Sequence, residues 1–393
     1  MATTVVVVSY RPGDWLSRCL ESVVPQADEV LVVDNASDGA RASDLARSAG
    51  ARAIRSRRNL GFAGGVALAL RQARGELVGV LNDDAVAGPG WLTSAARVLE
   101  DGTVAAVTPK VVLDGVFREI QLADEEWLAP GDPRPLGRML RSVTADGREV
   151  LARSVGAGLH DLETDGRTGS WRWTRPGQAF YVPVEHEGTT VLLDGDDPGP
   201  GPTVRVLNHA GSFLRTHGIA GEYGLGAPDD GRFDSRREPF GFSGTAPVFR
   251  AETLQRFGPF EPRFFAYNED TDWCLRVRLA GLRVAYDPEA TVAHRLSATS
   301  GGTWAEMVTR LAQRNALLCL ARNGPAGLAA REIKERLLRG PKEPVARQVA
   351  RMLPWALTSR AAMSRRWVYD PEDIWSEWAE RDSTWDTSPA RTH

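Results

Sequence analysis

Two adjacent carboxylates, Asp83 and Asp84, follow the apolar run at residues 77–81 and precede a turn rich in glycine and proline. Neighbouring like charges destabilise a fold unless water or a cation relieves their repulsion. Such a pair can bind a divalent cation, because Mg²⁺ combines one or two carboxylates with the phosphate oxygens of a substrate. The pair can equally cap the turn before the next helix. The spacing alone leaves both interpretations open.

A second acidic cluster and a distant histidine could also do chemistry. Asn268 is suited to cap a helix, and the following Glu269, Asp270 and Asp272 would interact favourably with the helix dipole. Alternatively, one of these carboxylates is a general base beside an acceptor hydroxyl. His294 ends an apolar segment and is either a metal ligand or a structural, half-buried histidine.

The elements that must position these groups alternate along the first 113 residues. Strands are predicted at 5–9, 29–37, 51–56, 76–84 and 103–113, and helices at 14–24, 61–73 and 91–100. This alternation predicts a parallel sheet covered on both faces. Ligands bind outside the carboxyl ends of such strands, so Asp34 and the Asp83–Asp84 pair are expected to share one cleft.

The remainder of the chain departs from this alternation. From about 114 to 205, short β-like runs predict a β-rich insertion. Two short strands are predicted to lead to His294, residues 303 to about 365 are predicted to be helical, and the tail at 371–393 is predicted to be poorly ordered.

Composition and motifs exclude several function classes. The net charge of −3 argues against a nucleic-acid partner. Neither G-x-G-x-x-G nor G-x-x-x-x-G-K-[ST] occurs, which argues against a Rossmann dehydrogenase and a P-loop NTPase. The three cysteines form no CxxC pair, which suits a reducing compartment without a zinc site. With no signal-peptide pattern and no long apolar stretch, we expect a cytoplasmic protein.

Seven segments, taken in order, resemble the inverting family 2 glycosyltransferases of the GT-A fold, in particular bacterial rhamnosyltransferase-like and galactofuranosyltransferase-like members. They are VVVVSYRPGDWLSRCLESV, VLVVDNASDG, RNLGFAGG, LNDDA, FGFSGTAPVFR, FFAYNEDTDWCLRVRLAG and ATVAHRLSATSGG. The resemblance implies an α/β fold with a Rossmann-like, mostly parallel sheet and flanking helices. The β-rich insertion, longer than the usual connection of the family, is where this sequence departs most from it, and the helical C-terminal region is predicted from the residue pattern. Together they suggest five parts: a nucleotide-sugar-binding half at 1–113, the insertion at 114–205, an acceptor and catalytic half at 206–302, helices at 303–370 and the tail at 371–393.

The resemblance also implies a donor site and a metal site. The nucleotide-sugar-binding positions it implies are Ser9, Tyr10, Arg11, Asp34, Arg58, Asn59, Gly64, Asn82 and Asp83. Among them, Asp34 corresponds to a contact with the nucleotide base. The D-x-D metal motif of the family falls on residues 82–84, where asparagine replaces the first aspartate. Asp84 is then the main carboxylate ligand of Mg²⁺ or Mn²⁺, and His294 completes the site.

The function implied by the resemblance is a metal-dependent transfer of sugar from a dTDP- or UDP-linked donor to the hydroxyl of a glycan, glycolipid or other acceptor. Asp270 corresponds to the base, while Glu269 and Asp272 either contact the acceptor or orient the base. Two alternatives are a sugar-nucleotide pyrophosphorylase and a non-catalytic binding relative. A pyrophosphorylase usually has a basic, glycine-rich first loop, which "SYRPGDW" lacks.

Two regions suggest further partners. The insertion is expected to contribute to acceptor selection or to a homo-oligomer. The arginine-rich helices from about 303 could bind the anionic inner face of a membrane, near a lipid-linked acceptor. A solvated basic face on a helical cap explains those arginines equally well.

Overall fold

The computed structural model describes residues 1–164, 169–235, 238–295, 302–340 and 342–380. Its α-helices are α1 (Trp15–Val23), α2 (Arg41–Ser48), α3 (Gly61–Leu70), α4 (Trp91–Val98), α5 (Ala251–Phe257), α6 (Glu269–Leu279), α7 (Gly302–Asn323), α8 (Ala326–Leu338), α9 (Pro344–Met363) and α10 (Pro371–Trp378). Its strands are β1 (Thr3–Ser9), β2 (Glu29–Asn35), β3 (Arg52–Ser56), β4 (Leu77–Asn82), β5 (Ala85–Ala87), β6 (Val104–Leu113), β7 (Val116–Ile120), β8 (Met139–Leu140), β9 (Val143–Ala145), β10 (Arg148–Glu149), β11 (Glu163–Thr164), β12 (Ser170–Trp173), β13 (Phe180–Val184), β14 (Val191–Leu193), β15 (Thr203–Val204), β16 (Leu207–His209), β17 (Ser212–Arg215), β18 (Ala220–Glu222), β19 (Val248–Arg250), β20 (Arg283–His294) and β21 (Ala379–Glu380).

The central sheet has the order β3-β2-β1-β4-β19-β6-β20-β5, and β16 pairs with β6. The strands from β3 to β4 are parallel, β19 is antiparallel to both of its neighbours, and β6 and β20 are parallel. The fold class predicted from the sequence is confirmed: a mostly parallel sheet carries flanking helices, additional small sheets and a helical C-terminal region.

Alternate residues of the central strands face two hydrophobic layers, as the two-residue period of a strand requires. Val6 of β1 packs in the layer that includes residues of α3 and α6, whereas Val5 and Val7 pack in the layer that includes α1 and α4. Because both faces are buried, these strands are continuous apolar runs rather than alternating ones.

The insertion leaves the central sheet after β6 and returns at β16. Strands β7, β13 and β15 form one small antiparallel sheet, and β8 to β12 with β14 form two others. These sheets have their own apolar core, with Leu140, Leu159, Phe180 and Val182 fully or almost fully buried.

Two regions differ from the sequence-based expectations. Where two short strands were expected before His294, β20 is one strand, and its register with β6 shifts between Asp287 and Thr291. The segment from 371 to 380, expected to be poorly ordered, contains α10. Trp378 is buried there and stacks under the guanidinium of Arg278, with 4.2 Å between the guanidinium carbon and the ring centroid. This burial holds the helix, whereas residues 381–393 lie outside the described part of the chain.

Candidate functional site

The carboxyl ends of three neighbouring strands form the floor of the site. Ser9 at the end of β1 lies beside Asp34 of β2, and Val8 lies beside Asn82 of β4. This register places three of the predicted donor-site residues, Ser9, Asp34 and Asn82, at the same end of the sheet. Tyr10 and Arg11 follow β1, and the Arg11 guanidinium lies 5.2 Å from the centroid of the Tyr10 ring.

Asp84 and His294 meet although 210 positions separate them. β5 runs antiparallel to the end of β20, so His294 pairs with Ala85, the residue after Asp84. As a result, His294 Nε2 lies 3.1 Å from Asp84 Oδ1. Cis ligands of an octahedral ion bound at 2.0–2.1 Å are also about 3 Å apart, so this spacing suits Mg²⁺ or a similar cation.

Asn208 orients the imidazole from the other side. Its Oδ1 lies 2.8 Å from His294 Nδ1. When Nδ1–H donates to this oxygen, Nε2 of the neutral ring presents a lone pair to the Asp84 carboxylate. Two acceptors that face each other need a proton or a metal ion between them, and an outer-shell partner of this kind is typical of metal-binding histidines. The donor set therefore fits a divalent cation.

Protein side chains alone do not complete a metal cage. Among residues 1–164, 169–235, 238–295, 302–340 and 342–380, no group of three or more His, Cys, Asp or Glu is arranged to hold an ion. Burial raises the pKa of Asp83 to about 6. The Asp84 charge raises this pKa further, whereas Ser9 and His294 lower it. A site with few carboxylates suits an ion that takes its remaining oxygens from phosphate and water.

Asp34 is fully buried and fixes the loop after β2. Its Oδ1 accepts from the Ser37 amide at 2.8 Å, and its Oδ2 accepts from the Ser43 hydroxyl at 2.6 Å. Although burial opposes it, these hydrogen bonds lower the pKa of the carboxyl. The structure thus gives Asp34 a role in shaping the loop, while its contact with a nucleotide base stays a prediction.

Arg58, Asn59 and Gly64 line a pocket of about 470 Å³ at the start of α3. Asn59 Oδ1 accepts from the Asn35 side chain at 3.0 Å and from the Gly61 amide at 2.8 Å. These hydrogen bonds tie the start of α3 to the end of β2. The predicted donor-site residues of this loop are therefore grouped around one concave surface.

Asp270 lies at the start of α6 and faces the turn that precedes β19. Its Oδ2 accepts from the Gly244 amide at 3.0 Å, and its Oδ1 accepts from the Thr271 amide at 2.7 Å. Burial nonetheless raises the pKa of Asp270. The neighbouring Thr245 carbonyl accepts from the Asn82 amide at 2.9 Å. One short segment, residues 244–245, thus connects the predicted base with the predicted metal motif.

The other two carboxylates of this cluster differ sharply from each other. Glu269 is 5% exposed, its Oε2 has no hydrogen-bond partner among the described residues, and burial raises its pKa well above the ordinary value. Asp272 is fully buried and bound by Arg276 at 3.1 Å and by Arg322 at 2.7 Å. In this structure Asp272 joins α6 to α7 and has no surface for an acceptor.

Sequence reasoning missed one residue at the site, Asn208. It lies in a segment between quoted motifs, and only the pairing of β16 with β6 brings it to His294. No sequence signal distinguishes it from other polar residues. Its position follows from strand pairing alone.

The loop before Asp270 has unusual backbone geometry. Phe265, Tyr267 and Asn268 have φ values of 68°, 73° and 62°, which non-glycine residues rarely adopt. Nδ2 of Asn315 in α7 lies 2.7–2.9 Å from the carbonyl oxygens of Phe264, Ala266 and Tyr267 and shares its two N–H groups among them. The C-terminal helices therefore hold the loop that carries the predicted base.

Gly61→Ala, at the start of α3, should also disturb the loop that precedes Asp270. Gly61 has a φ of +72°, and an added Cβ would lie 2.2 Å from the Phe265 carbonyl oxygen. We expect a loss of about 1–3 kcal/mol in the free energy of unfolding, typical of an enforced strained backbone. Urea denaturation measures it. Gly102→Ala is the matched control, because nothing lies within 4 Å of its added Cβ; equal stability of the two variants would contradict this account.

Comparisons with known proteins give one family match and similar folds. Residues 4–146 match the model of the family described as "Glycosyl transferase family 2", which is less than half of the chain. No curated protein matches the chain. A solved structure of GalNAc-T7 with UDP, GalNAc and Mn²⁺ is similar, with 12% sequence identity and a TM-score of 0.52. The similarity covers 96% of this chain and 58% of GalNAc-T7, and at this identity it concerns the fold alone.

A second similar structure is the mannosyltransferase PcManGT from Pyrobaculum calidifontis, in complex with GDP-Man and Mn²⁺. It has 16% identity and a TM-score of 0.40, and the similarity covers 92% of this chain and 73% of that one. Residues 4–146 thus match glycosyl transferase family 2, and the similarity to GalNAc-T7 shows that nearly the whole chain shares a fold with that structure.

Proposed function

We propose that the protein is a metal-dependent, inverting glycosyltransferase that moves a sugar from a UDP- or dTDP-linked donor to a hydroxyl of a glycan, glycolipid or other glycoconjugate. The main support is the distance of 3.1 Å between His294 Nε2 and Asp84 Oδ1. Asp84 follows β4, which lies within the residues that match family 2. Such a pair, at the carboxyl end of a parallel sheet, suits the diphosphate of a nucleotide sugar.

Residues of the chain have separate roles in metal binding and in proton transfer. Asp84 and His294 would hold the cation, with Asn82 as a neutral oxygen donor. Such a cation supplies Lewis-acid stabilisation to the diphosphate leaving group when bound. Asp270 takes the proton from the acceptor hydroxyl as that oxygen attacks the anomeric carbon. Attack from the face opposite the leaving group inverts the anomeric centre.

The environment of Asp270 suits a base. Its carboxylate is held by two backbone amides, which fixes its direction. Burial raises its pKa, which makes the carboxylate a stronger proton acceptor than an exposed aspartate. Glu269 lies beside it, and the Asp270 charge adds to the burial that raises the pKa of Glu269.

A panel of nucleotide sugars tests this proposal and identifies the donor. Thermal unfolding is followed with UDP-, dTDP- and GDP-sugars, each with MnCl₂ and with EDTA. A donor at 100 times its dissociation constant should stabilise the protein by about 2.7 kcal/mol. Slow release of nucleoside diphosphate supports a transferase, whereas formation of nucleoside triphosphate and sugar 1-phosphate after addition of pyrophosphate would support a pyrophosphorylase. The rhamnosyltransferase-like and galactofuranosyltransferase-like subtypes predict dTDP-rhamnose and UDP-galactofuranose as the first donors to try.

His294→Ala is expected to weaken Mn²⁺-dependent binding of the nucleoside diphosphate at least tenfold, because loss even of an outer-shell partner of a metal ligand typically weakens metal binding 10–100-fold. Calorimetric titration of UDP and dTDP with and without Mn²⁺ measures the change. His186→Ala, in the exposed part of the insertion, serves as the control. Unchanged Mn²⁺ dependence in His294→Ala would remove this residue from the metal site.

Two further partners are part of the proposal. No helix of the described residues is both long and apolar enough to cross a membrane. Peripheral contact of the arginine-rich helices α8 and α9 with anionic lipid is proposed from their charge, and Leu338 and Leu357 are exposed there. Sedimentation with anionic vesicles tests this contact. A role of the insertion in acceptor selection or in a homo-oligomer is proposed from its separate core.

A further inference from the structure

Two tryptophans point outward from a small sheet of the insertion. Trp171 and Trp173 lie in β12, and they share one face because successive residues of a strand point to opposite sides. Arg172 between them is 8% exposed, and its guanidinium donates to the carbonyl oxygens of His160 at 2.7 Å and Ser154 at 2.5 Å. Arg172 therefore faces the interior of the insertion, and the two tryptophans face away from it.

A third tryptophan extends this outer face. The ring centroid of Trp127 lies 5.5 Å from that of Trp173, with 40° between the ring planes. Trp127 is 49% exposed, whereas Trp171 and Trp173 are partly buried. Together these three residues form the tryptophan face. Large aromatic side chains that are clustered and accessible to solvent are a feature of binding surfaces.

Polar side chains of both signs border the tryptophan face. The Arg141 guanidinium lies 5.9 Å from the centroid of the Trp171 ring, and Glu163 is the partner of Trp171 in the pairing of β11 with β12. Arg134 forms ion pairs with Asp132 at 2.7 Å and with Glu163 at 2.8 Å. Two basic and two acidic side chains therefore supply hydrogen-bond donors and acceptors without an excess of positive charge.

This charge distribution and the area of the rings exclude two kinds of partner. An anionic lipid surface or an acidic polymer needs an excess of positive charge, whereas the exposed Glu125 and Glu126 beside Trp127 add negative charge. A large aromatic side chain buries about 150–250 Å² when it is fully covered. Three rings, two of them already partly buried, offer less than the roughly 800 Å² per partner of a stable protein interface.

A neutral glycan matches both parts of this surface. The faces of a sugar ring consist of C–H groups, which stack on aromatic rings, and its hydroxyls need donors and acceptors at the rim. The insertion also begins and ends beside the proposed metal site. Leu113, the last residue of β6, pairs with His294, and Asn208 of β16 lies 2.8 Å from the same imidazole. The tryptophan face thus belongs to a part of the fold that starts at the cleft.

We propose that the tryptophan face binds an uncharged glycan chain and thereby holds a long acceptor at a distance from its reacting sugar. Sugar rings stack on Trp127 and Trp173, while Arg141 and Glu163 hydrogen-bond to their hydroxyls. The binding itself is independent of the proposed function. Its use in selecting long acceptors rests on that function.

Affinity electrophoresis tests the binding without any transfer reaction. The protein migrates through native gels that contain galactomannan, arabinoxylan, dextran or mixed-linkage β-glucan, and at least one of these should retard the wild type. Trp127→Ala should weaken the binding about 2- to 10-fold, the effect of one lost stacking contact, whereas Trp127→Phe should retain most of it. Tyr369→Ala removes an equally exposed aromatic ring outside the insertion and is the matched control. Arg141→Ala, at an exposed position, is the second variant if Trp127→Ala does not fold.

Kinetics with acceptors of two lengths test the use of this binding. The donor chosen by the nucleotide-sugar panel is used with an oligosaccharide of the glycan that retards the protein and with the octyl glycoside of its terminal sugar. Trp127→Ala should raise the KM of the oligosaccharide by the factor seen in the gels and leave the KM of the octyl glycoside and both kcat values nearly unchanged. A general disturbance of the fold would instead affect both acceptors.

The other outcomes reject the inference. Migration of the wild type unaffected by every polysaccharide, or equal retardation of wild type and Trp127→Ala, would show that the tryptophan face binds no such glycan. A wild-type dimer that dissociates in Trp127→Ala during analytical ultracentrifugation would show that a second copy of the chain covers this face. Absence of nucleoside diphosphate release from any donor would reject the proposed function and leave the binding result standing.

Discussion

Replacing Asp270 with asparagine is expected to lower kcat for sugar transfer by roughly 10²–10⁴-fold, the usual contribution of a positioned general base. The variant keeps the size of the side chain, and its single amide oxygen can still accept one of the two backbone amides that Asp270 binds. Affinity for the nucleoside diphosphate with Mn²⁺ should stay nearly unchanged, because the metal motif lies on another element. Initial rates of nucleoside diphosphate release with a saturating acceptor measure the loss.

The pH dependence gives the same prediction a second readout. A general base acts only when deprotonated, so activity should rise with pH through the pKa of Asp270. Because burial raises this pKa, the rise should occur at a higher pH than for an exposed aspartate. Asp44→Asn, at an exposed position of α2, is the control. Normal turnover in Asp270→Asn would exclude Asp270 as the base.

Asp272→Ala should be the most destabilising single change at this site. Asp272 is fully buried and accepts hydrogen bonds from Arg276, Arg322 and Asn323. Removing it leaves two buried guanidinium groups without their shared partner. Breaking a buried ion pair on one side typically costs about 3–5 kcal/mol of stability. Equilibrium unfolding in urea, followed by circular dichroism, measures this loss.

An exposed ion pair supplies the matched control for this variant. Asp44 and Arg47 lie 2.9 Å apart, and both side chains are about two-thirds exposed. Asp44→Ala should therefore change the free energy of unfolding by only about 0–1 kcal/mol, the range for surface pairs. If Asp272→Ala were no more destabilising than Asp44→Ala, the account of Asp272 as the link between α6 and α7 would be wrong.

The central fold could be predicted from the sequence because its signals are local. The apolar runs that end at Ser9, Asn35 and Asn82 are strands in the structure, and the alternation with helices requires a parallel sheet. Carboxyl ends of parallel strands share one edge, so Ser9, Asp34 and the residues after Asn82 had to be neighbours. This much follows from strand direction and residue period alone.

Different tertiary contacts separated the three carboxylates of the acidic cluster. Glu269, Asp270 and Asp272 are equivalent in the sequence, since all lie in the first turn of α6. Their surroundings differ because each points in another direction from the helix. Asp270 meets the turn at Gly244, whereas Asp272 meets the two arginines of α6 and α7.

The sequence by itself determined which strands end in polar groups, because burial of both sheet faces leaves only the strand ends for such residues. Only the tertiary structure decided that His294 reaches Asp84 and that Asn208 orients it. The physical reason is that these contacts depend on the antiparallel register between strands distant in sequence. No local pattern of residues encodes that register.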